Sequence, residues 1–179
     1  MSRTGFIGLG SNLGDRVAVI LDAVDRIDET PGMSVWRVST FLETDPVGRQ
    51  DQPDFLNAVA EVRSSLAPVE AMAHLLSIEQ QLGRVRSEAD PGGPRTIDLD
   101  LLLWGDCTSD EPGLHLPHPR LHERAFVLLP MVELAPDLIH PTLGRTMQEL
   151  LAEEIDRHGD LAGRCRPAGR GPLRTPDLE

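Results

Sequence analysis

The feature that most constrains the fold is an alternating stretch near the middle of the chain, residues 95–104. Its apolar side chains recur at every second position, which is the period of a β-strand with one packed face. These side chains are Ile97, Leu99, Leu101 and Leu103. Asp98 and Asp100 then project together from the opposite face. The stretch therefore predicts a strand with one buried face and two neighbouring carboxylates on the other.

The two aspartates allow two interpretations. As an isolated D-x-D motif they indicate no more than a solvated strand face with two charges. Alternatively they hold a cation, because neighbouring carboxylates repel each other unless a positive charge lies between them. Mg²⁺ suits such ligands, since it usually takes one or two carboxylates and completes its shell with water and substrate phosphates. Arg84, Arg86 and Arg95 are close in the chain, and arginines beside a carboxylate-bound metal are typical of a polyphosphate site.

Length and charge limit the class of protein. A chain of 179 residues is long enough for one domain with its own core. We expect that domain at 1–162 and a loose tail, rich in Gly, Pro and Arg, at 163–179. The net charge of −12 argues against nucleic acid or an anionic membrane as partner. An anionic substrate would therefore need a local basic cluster and a metal.

Residue usage excludes two kinds of chemistry and indicates a compartment. All 17 basic residues are arginines, which excludes a Walker-type phosphate lysine and a Schiff-base lysine. Cys107 and Cys165 form no C-x-x-C motif, and a disulfide between them has no support, so a reducing cytoplasm is the simpler interpretation. The sequence shows no signal peptide and no long apolar run. We expect a cytoplasmic monomer that does not span a membrane.

The predicted elements follow the order strand, helix, strand, strand, helix, strand and then helices. The strands are predicted at 4–9, 35–41, 55–63 and 95–104, and the helices at 17–27, 68–82, 122–134 and 147–155. The glycine run at 8–14 has the spacing G-x-G-x-x-x-G, one residue too long for a dinucleotide-binding fingerprint. We therefore expect Ser11 or Asn12 to cap the first helix. The order predicts an α+β, ferredoxin-like domain with helices packed on a largely antiparallel sheet.

A long loop and a group of arginines favour a ligand site. The loop at 43–54 has twelve residues, and loops of this length are often functional. Phe55 and Asn57 follow it on one face of the third strand. With Phe126, Phe55 could stack a flat ring. Five arginines could surround one anion: Arg84, Arg86, Arg95, Arg120 and Arg124.

Several blocks together resemble the 6-hydroxymethyl-7,8-dihydropterin pyrophosphokinases of folate biosynthesis. The blocks are residues 8–14, 44–57, 83–86, 93–100 and 117–126. They occur in the order of that family, over residues 4 to about 150. Each block is modest alone, but their combination is highly specific.

The resemblance implies transfer of the β,γ-pyrophosphoryl group of ATP to the hydroxymethyl oxygen of the pterin, with release of AMP. It implies that Asp98 and Asp100 hold two Mg²⁺ ions, which bridge the ATP phosphates and the attacking oxygen. It also implies that Arg84 and Arg95 are the catalytic residues. The implied pterin contacts are Thr44, Asp45, Val47, Phe55, Asn57 and Phe126. The implied ATP contacts are Glu79, Arg84, Arg86, Arg95, Ile97, His118 and Arg124.

Alternatives remain open at this point. The loop at 87–93 lacks the aromatic residue that helps to close the site in well-known family members, so we expect this loop to close less tightly over ATP. A non-catalytic ligand-binding module of the same fold would need neither the D-x-D pair nor the clustered arginines. A metal-dependent phosphohydrolase would share the D-x-D pair but would release phosphate from ATP without pterin. An RNA-binding interpretation of the fold conflicts with the charge and with the missing aromatic RNP pattern.

Overall fold

A computed structural model of the chain describes residues 2–46, 51–84, 93–159 and 164–170. The strands are β1 (Arg3–Ser11), β2 (Met33–Val38), β3 (Thr40–Thr44), β4 (Phe55–Ser64), β5 (Asp98–Trp104), β6 (Ser109–Glu111), β7 (Leu114–Leu116) and β8 (Cys165–Arg170). The helices are α1 (Arg16–Asp28), α2 (Pro68–Gln81), α3 (Ala125–Leu134) and α4 (Met147–His158), and a 3₁₀ turn at Leu121–Glu123 precedes α3. None of the helices in these described ranges is long and apolar enough to cross a membrane.

Strand β4 is at the centre of a six-stranded sheet. It pairs with β1 from Ser64 opposite Arg3 to Leu56 opposite Ser11, and its other edge pairs with β2 and β3. Strand β5 extends the sheet beyond β1, and β8 extends it beyond β3. All of these pairings are antiparallel, which confirms the predicted α+β, ferredoxin-like architecture. Strands β6 and β7 form a separate hairpin.

Helices cover both faces of the sheet, so the core has two parts. The first cluster lies against α1 and α2 and includes Ile7, Leu9, Ile20, Ala23, Leu56 and Leu75. The second lies against α3 and α4 and includes Phe6, Val59, Leu102, Leu128, Met131 and Leu150. Alternate residues of β1 and β4 thus enter opposite clusters, as the period of a strand requires.

Strand β5 confirms the strand predicted at 95–104, although it begins at Asp98 and changes face near its end. Leu103 packs in the second cluster beside Leu102, so the prediction that Leu103 shares a face with Leu101 is wrong. The cause is an irregularity in the pairing with β1. Consecutive residues of β1, Phe6 and Ile7, lie opposite Leu103 and Leu101, which leaves Leu102 as an extra residue and reverses the side-chain alternation beyond it.

Two other local predictions were wrong. Helix α1 is capped by Asp15, whose carboxylate accepts a hydrogen bond from the Ala18 N–H at 3.1 Å, and neither Ser11 nor Asn12 caps it. The strand predicted at 35–41 is divided by Ser39. The Ser39 N–H donates to the carbonyl of Val59 in β4 at 2.9 Å, and the Ser39 hydroxyl accepts from the Val59 N–H at 3.0 Å.

The end of the described chain differs from the loose tail expected from residue 163. Cys165–Arg170 form strand β8, in which Cys165 lies opposite Thr44 of β3. Proline at position 167 fits an edge strand, because proline cannot donate a ladder hydrogen bond. Backbone pairing holds this strand, and Cys165 is its one buried side chain among those described. Composition alone therefore gave no signal for it.

Candidate active site

A cavity of about 260 Å³ opens where β1, β4 and β5 meet the start of α3. Most of the predicted site residues line it: Thr44, Asp45, Phe55, Asn57, Arg95, Asp98, Asp100, Arg124 and Phe126. Four others lie outside the lining: Glu79, Arg84, Ile97 and His118. Val47 and Arg86 fall outside the residues that the structure describes.

Two glycines of β1 form the floor of the cavity. Gly10 lies opposite Asn57 of β4 and Asp98 of β5, and Gly8 lies opposite Asp100. A Cβ on Gly10 would lie 3.1 Å from the Asn57 Oδ1, and one on Gly8 would lie 3.6 Å from the Asp100 Cβ. The missing side chains leave room between the neighbouring strands. The spacing of the glycine run at 8–14 gave no indication of this role.

One end of the cavity is acidic. Burial at the cavity wall, and after it the neighbouring Asp98 carboxylate, raise the pKa of Asp100 to about 6. The Asp100 Oδ2 lies 3.5 Å from the Arg124 Nη1 and 4.0 Å from the His118 Nε2. A cation between the two carboxylates would relieve their repulsion. In the described residues, no group of three or more His, Cys, Asp or Glu side chains could hold a metal.

This donor set fits Mg²⁺ better than metals that need more protein ligands. Mg²⁺ keeps several waters and is commonly bound through one or two carboxylates and substrate phosphates. Asp98 and Asp100 supply two hard oxygen ligands on one strand face of the cavity. Zinc sites, by contrast, take three or four nitrogen, sulfur or carboxylate ligands from the protein.

Arginines surround the Asp98 carboxylate. Arg84 Nη1 contacts Asp98 Oδ1, and Arg95 Nη1 contacts Asp98 Oδ2. Arg84 also contacts Glu79, which is only 1% exposed, and the same Glu79 carboxylate accepts a hydrogen bond from the Leu99 N–H at 2.8 Å. Glu79 thus joins the end of α2 to β5 and fixes Arg84 beside the cavity. Its predicted contact with ATP stays a prediction.

The opposite wall is aromatic and amide-lined. Phe55 and Phe126 both line the cavity, and the Arg124 guanidinium lies 5.6 Å from the centre of the Phe126 ring. The Asn57 Nδ2 donates to the Thr44 hydroxyl at 2.7 Å, and both residues are buried. Because this bond uses the amide nitrogen, it fixes the Asn57 Oδ1 beside the cavity floor as a hydrogen-bond acceptor.

Two of the predicted ATP contacts, Ile97 and His118, do not line the cavity. Ile97 is fully buried in the first cluster. The backbone N–H of His118 donates to the Leu102 carbonyl at 2.9 Å. The ring Nδ1 of His118 accepts from the backbone N–H of Arg120 at 3.2 Å. Burial, and after it the Arg124 charge, lower the pKa of His118 to about 4. Their predicted roles toward ATP stay predictions.

Asn12 is a site residue that sequence analysis missed. The Asn12 Oδ1 accepts from the backbone N–H of Arg95 at 2.7 Å. The backbone N–H of Asn12 donates to the Arg95 carbonyl at 3.1 Å. Its Nδ2 donates to the Gln52 Oε1 at 3.0 Å and to the Pro53 carbonyl at 3.1 Å. One buried amide thus connects the arginine side of the cavity with the aromatic side. The sequence shows only that Asn12 lies in the glycine run at 8–14. A helix-capping role explained an asparagine at that position equally well.

Comparison with known proteins identifies the class. The family model described as "7,8-dihydro-6-hydroxymethylpterin-pyrophosphokinase (HPPK)" matches residues 6–136. The 2-amino-4-hydroxy-6-hydroxymethyldihydropteridine pyrophosphokinase of Pseudomonas aeruginosa is 44% identical over 147 residues, which is 82% of this chain and 89% of that protein. The Bacillus subtilis protein of the same name is 42% identical over 134 residues, covering 75% of this chain and 79% of that protein.

Longer proteins contain a similar segment. This chain matches 20% of the length of the Schizosaccharomyces pombe folic acid synthesis protein fol1, with 38% identity over 150 residues. A crystal structure of Plasmodium falciparum HPPK-DHPS has a TM-score of 0.73 at 13% identity, covering 93% of this chain and 46% of that one. That likeness shows a shared ferredoxin-like α+β fold. The chain belongs to the 7,8-dihydro-6-hydroxymethylpterin-pyrophosphokinase family, which confirms the family predicted from the sequence.

Proposed function

We propose that the protein transfers the pyrophosphoryl group of ATP to the hydroxymethyl group of 6-hydroxymethyl-7,8-dihydropterin, giving AMP and the pterin diphosphate for folate biosynthesis. The observation that carries this proposal is the composition of one cavity. Its aromatic, amide-lined wall suits a flat heterocycle, and its aspartates and arginines suit a polyphosphate. The names of the similar bacterial proteins point to the same reaction.

The pterin would lie between the two phenylalanines. Offset stacking of aromatic rings contributes about 0.5–1.5 kcal/mol of binding free energy beyond the contribution of the buried area. The Asn57 Oδ1, fixed by the bond to Thr44, would accept from a ring N–H or amino group. The Asp45 backbone, with that of Val47, would contact the polar edge of the ring. A pterin without such hydrogen-bonding groups should bind poorly, because buried polar groups of the site would stay unpaired.

Asp98 and Asp100 would hold Mg²⁺, and the family resemblance leads us to expect two ions. When bound, Mg²⁺ would neutralise phosphate charge and lower the pKa of the substrate hydroxyl. Arg95 lines the cavity and Arg84 stands beside it. Their guanidinium groups would donate hydrogen bonds to phosphate oxygens and stabilise the charge that develops during transfer. Glu79 would keep Arg84 oriented for this role.

The remaining contacts would serve the nucleotide. Arg124 and His118 both lie beside Asp100, at the acidic end where the ATP phosphates would enter. Arg86 would add a further positive charge. We propose no partner beyond the two small-molecule substrates. A cytoplasmic monomer without nucleic-acid or membrane partners remains a prediction.

The test is an assay of the purified protein with ATP, Mg²⁺ and 6-hydroxymethyl-7,8-dihydropterin. The proposal predicts AMP that forms only when pterin and Mg²⁺ are both present. Inorganic phosphate released from ATP without pterin would instead show a phosphohydrolase. The absence of both turnover and magnesium-dependent ATP binding would instead indicate a non-catalytic ligand-binding module.

A further inference from the structure

Strand β8 carries an arginine that contacts two carboxylates at the edge of the cavity. The Arg166 Nη1 lies 3.1 Å from the Asp45 Oδ1, and its Nη2 lies 2.8 Å from the Asp54 Oδ2. Arg166 lies beyond residues 6–136, the part of the chain that the family model matches. It is also about 120 residues away from Asp45 in sequence. Only the pairing of β8 with β3 brings these groups together.

The two carboxylates adjoin the wall that would bind pterin. Asp45 lines the cavity and directly follows Thr44, which bonds to Asn57. Asp54 directly precedes Phe55, which also lines the cavity. One guanidinium therefore joins the two ends of the segment between β3 and β4, at the positions next to the cavity.

Arg16 holds the same region from α1. Its Nη1 donates to the Asp54 carbonyl at 2.8 Å, and its Nη2 donates to the Glu43 Oε1 at 2.7 Å. Glu43 lies opposite Arg166 in the pairing of β3 with β8. Asp54 is thus fixed through its carbonyl by one arginine and through its carboxylate by another. Unlike Arg16, Arg166 also contacts Asp45, which directly follows β3 and lines the cavity.

We propose that Arg166 is a positioning residue for the pterin-binding wall, which it sets by fixing the distance between residues 45 and 54. This inference rests on the proposed function. Arginine suits the role because its planar guanidinium can donate to two carboxylates at once, whereas a lysine ammonium is a single point charge. The Arg166 side chain is 41% exposed, so water screens both ion pairs and the effect on binding is moderate.

The test compares Arg166→Gln with Arg145→Gln. Arg145 is a matched control because its side chain is 47% exposed and also contacts two carboxylates, Glu149 and Glu153, away from the cavity. Pterin affinity is measured by calorimetry with a non-hydrolysable ATP analogue and Mg²⁺. We expect Arg166→Gln to raise the pterin Kd about three- to tenfold. Arg145→Gln should leave it unchanged.

Further readouts separate positioning from general stability. For Arg166→Gln we expect the ATP Kd, the melting temperature and the kcat at saturating pterin to stay near wild type, and Arg166→Lys should restore part of the pterin affinity. Asp54→Asn should weaken pterin binding by less than Arg166→Gln. The double variant should be no worse than Arg166→Gln, because both changes break the same contact.

The possible outcomes are distinct. A pterin Kd that is unchanged in Arg166→Gln, or that rises equally in Arg145→Gln, overturns the inference. An equal loss of ATP affinity overturns it as well. If the wild-type protein itself binds no pterin, the proposed function fails, and that result is visible before any variant is compared.

Discussion

Gly10 lies so close to Asn57 that an added Cβ would stand 3.1 Å from the Asn57 Oδ1. Gly10 has no positive φ, so the need for glycine here comes from space in the cavity and not from backbone strain. The bond from Asn57 to Thr44 limits how far the amide can move away. The missing side chain therefore keeps both the amide and the cavity floor available to a ligand.

The first prediction tests this floor. Gly10→Ala should weaken pterin binding on the order of tenfold, because the methyl group displaces the amide that would contact the pterin. Gly8→Ala is the comparison, since its Cβ would meet neighbours only at 3.5 Å or more, which is ordinary contact. Calorimetric titration of both variants checks this. A larger loss in Gly8→Ala than in Gly10→Ala would contradict the assignment.

The second prediction concerns the carboxylates. Asp98→Asn or Asp100→Asn should lower turnover by orders of magnitude, because each removes an anionic oxygen ligand. Folding should survive, because neither aspartate belongs to the two hydrophobic clusters of the core. The measurement is the rate of AMP formation as Mg²⁺ is titrated, with thermal unfolding as a check of folding. Asp110→Asn serves as the control, because that carboxylate is fully exposed in the separate hairpin.

Near-normal activity of either variant at ordinary Mg²⁺ would exclude these carboxylates as metal ligands. A loss of activity that accompanied a loss of the folded state would instead reflect the contacts of Asp98 with Arg84 and Arg95. Asp100→Asn then gives the cleaner result. The shorter of the two ion-pair contacts given above for Asp100 is the one to Arg124, at 3.5 Å.

The third prediction separates the two ends of the cavity. Phe126→Ala should weaken pterin binding about tenfold through lost stacking and burial, with little change in ATP affinity. Phe126→Leu keeps most of the apolar volume and should lose only the stacking contribution to pterin binding.

Arg95→Ala tests the phosphate end. It should mainly lower kcat, because the contact of Arg95 strengthens as charge develops in the transition state. Steady-state kinetics with each substrate varied would distinguish them, and equal losses of pterin affinity in Phe126→Ala and Arg95→Ala would show that the subsites are wrongly assigned.

The fourth prediction concerns stability and pH. His140 is 3% exposed, and its Nδ1 accepts from the backbone N–H groups of Thr142 and Leu143 at 3.4 and 3.3 Å. Burial, and after it the neighbouring His122, lower the pKa of His140. The folded protein therefore favours the neutral ring. Its contribution to stability should be complete above the ordinary histidine pKa of about 6.5 and should be lost as the pH falls below that value.

Thermal unfolding between pH 7.5 and 5 tests this effect. His140→Asn offers an amide oxygen to the same backbone donors but does not titrate. Its melting temperature should fall less steeply with decreasing pH than that of the wild type, whatever its stability at pH 7.5. Parallel slopes for the two proteins would exclude His140 as the source.

Local patterns in the sequence were enough to predict much of the site. The period of two placed Asp98 and Asp100 on one face of a strand, and it placed Phe55 and Asn57 together on another. Strands keep this period over several residues, so these predictions needed no knowledge of distant contacts. The same rule failed at Leu103, because an extra residue in the pairing with β1 is set by two strands together.

The positions that sequence reasoning missed depend on contacts between distant segments. The Asn12 amide bonds to residues 40 and 83 positions away, and a capping role near a helix explained it equally well. Strand β8 is held by backbone pairing with β3, which its Gly, Pro and Arg composition does not indicate. The role of Gly8 and Gly10 as the cavity floor can be recognised only when their neighbours in β4 and β5 are known.

The most direct test of the central claim is the identity of the products. Phosphorus NMR of the reaction with ATP, Mg²⁺ and 6-hydroxymethyl-7,8-dihydropterin follows every phosphate-containing species at once. The account predicts AMP and pterin diphosphate in equal amounts, without ADP or inorganic phosphate, and no AMP when pterin is omitted. ADP with a pterin monophosphate, or phosphate released from ATP without pterin, would contradict it.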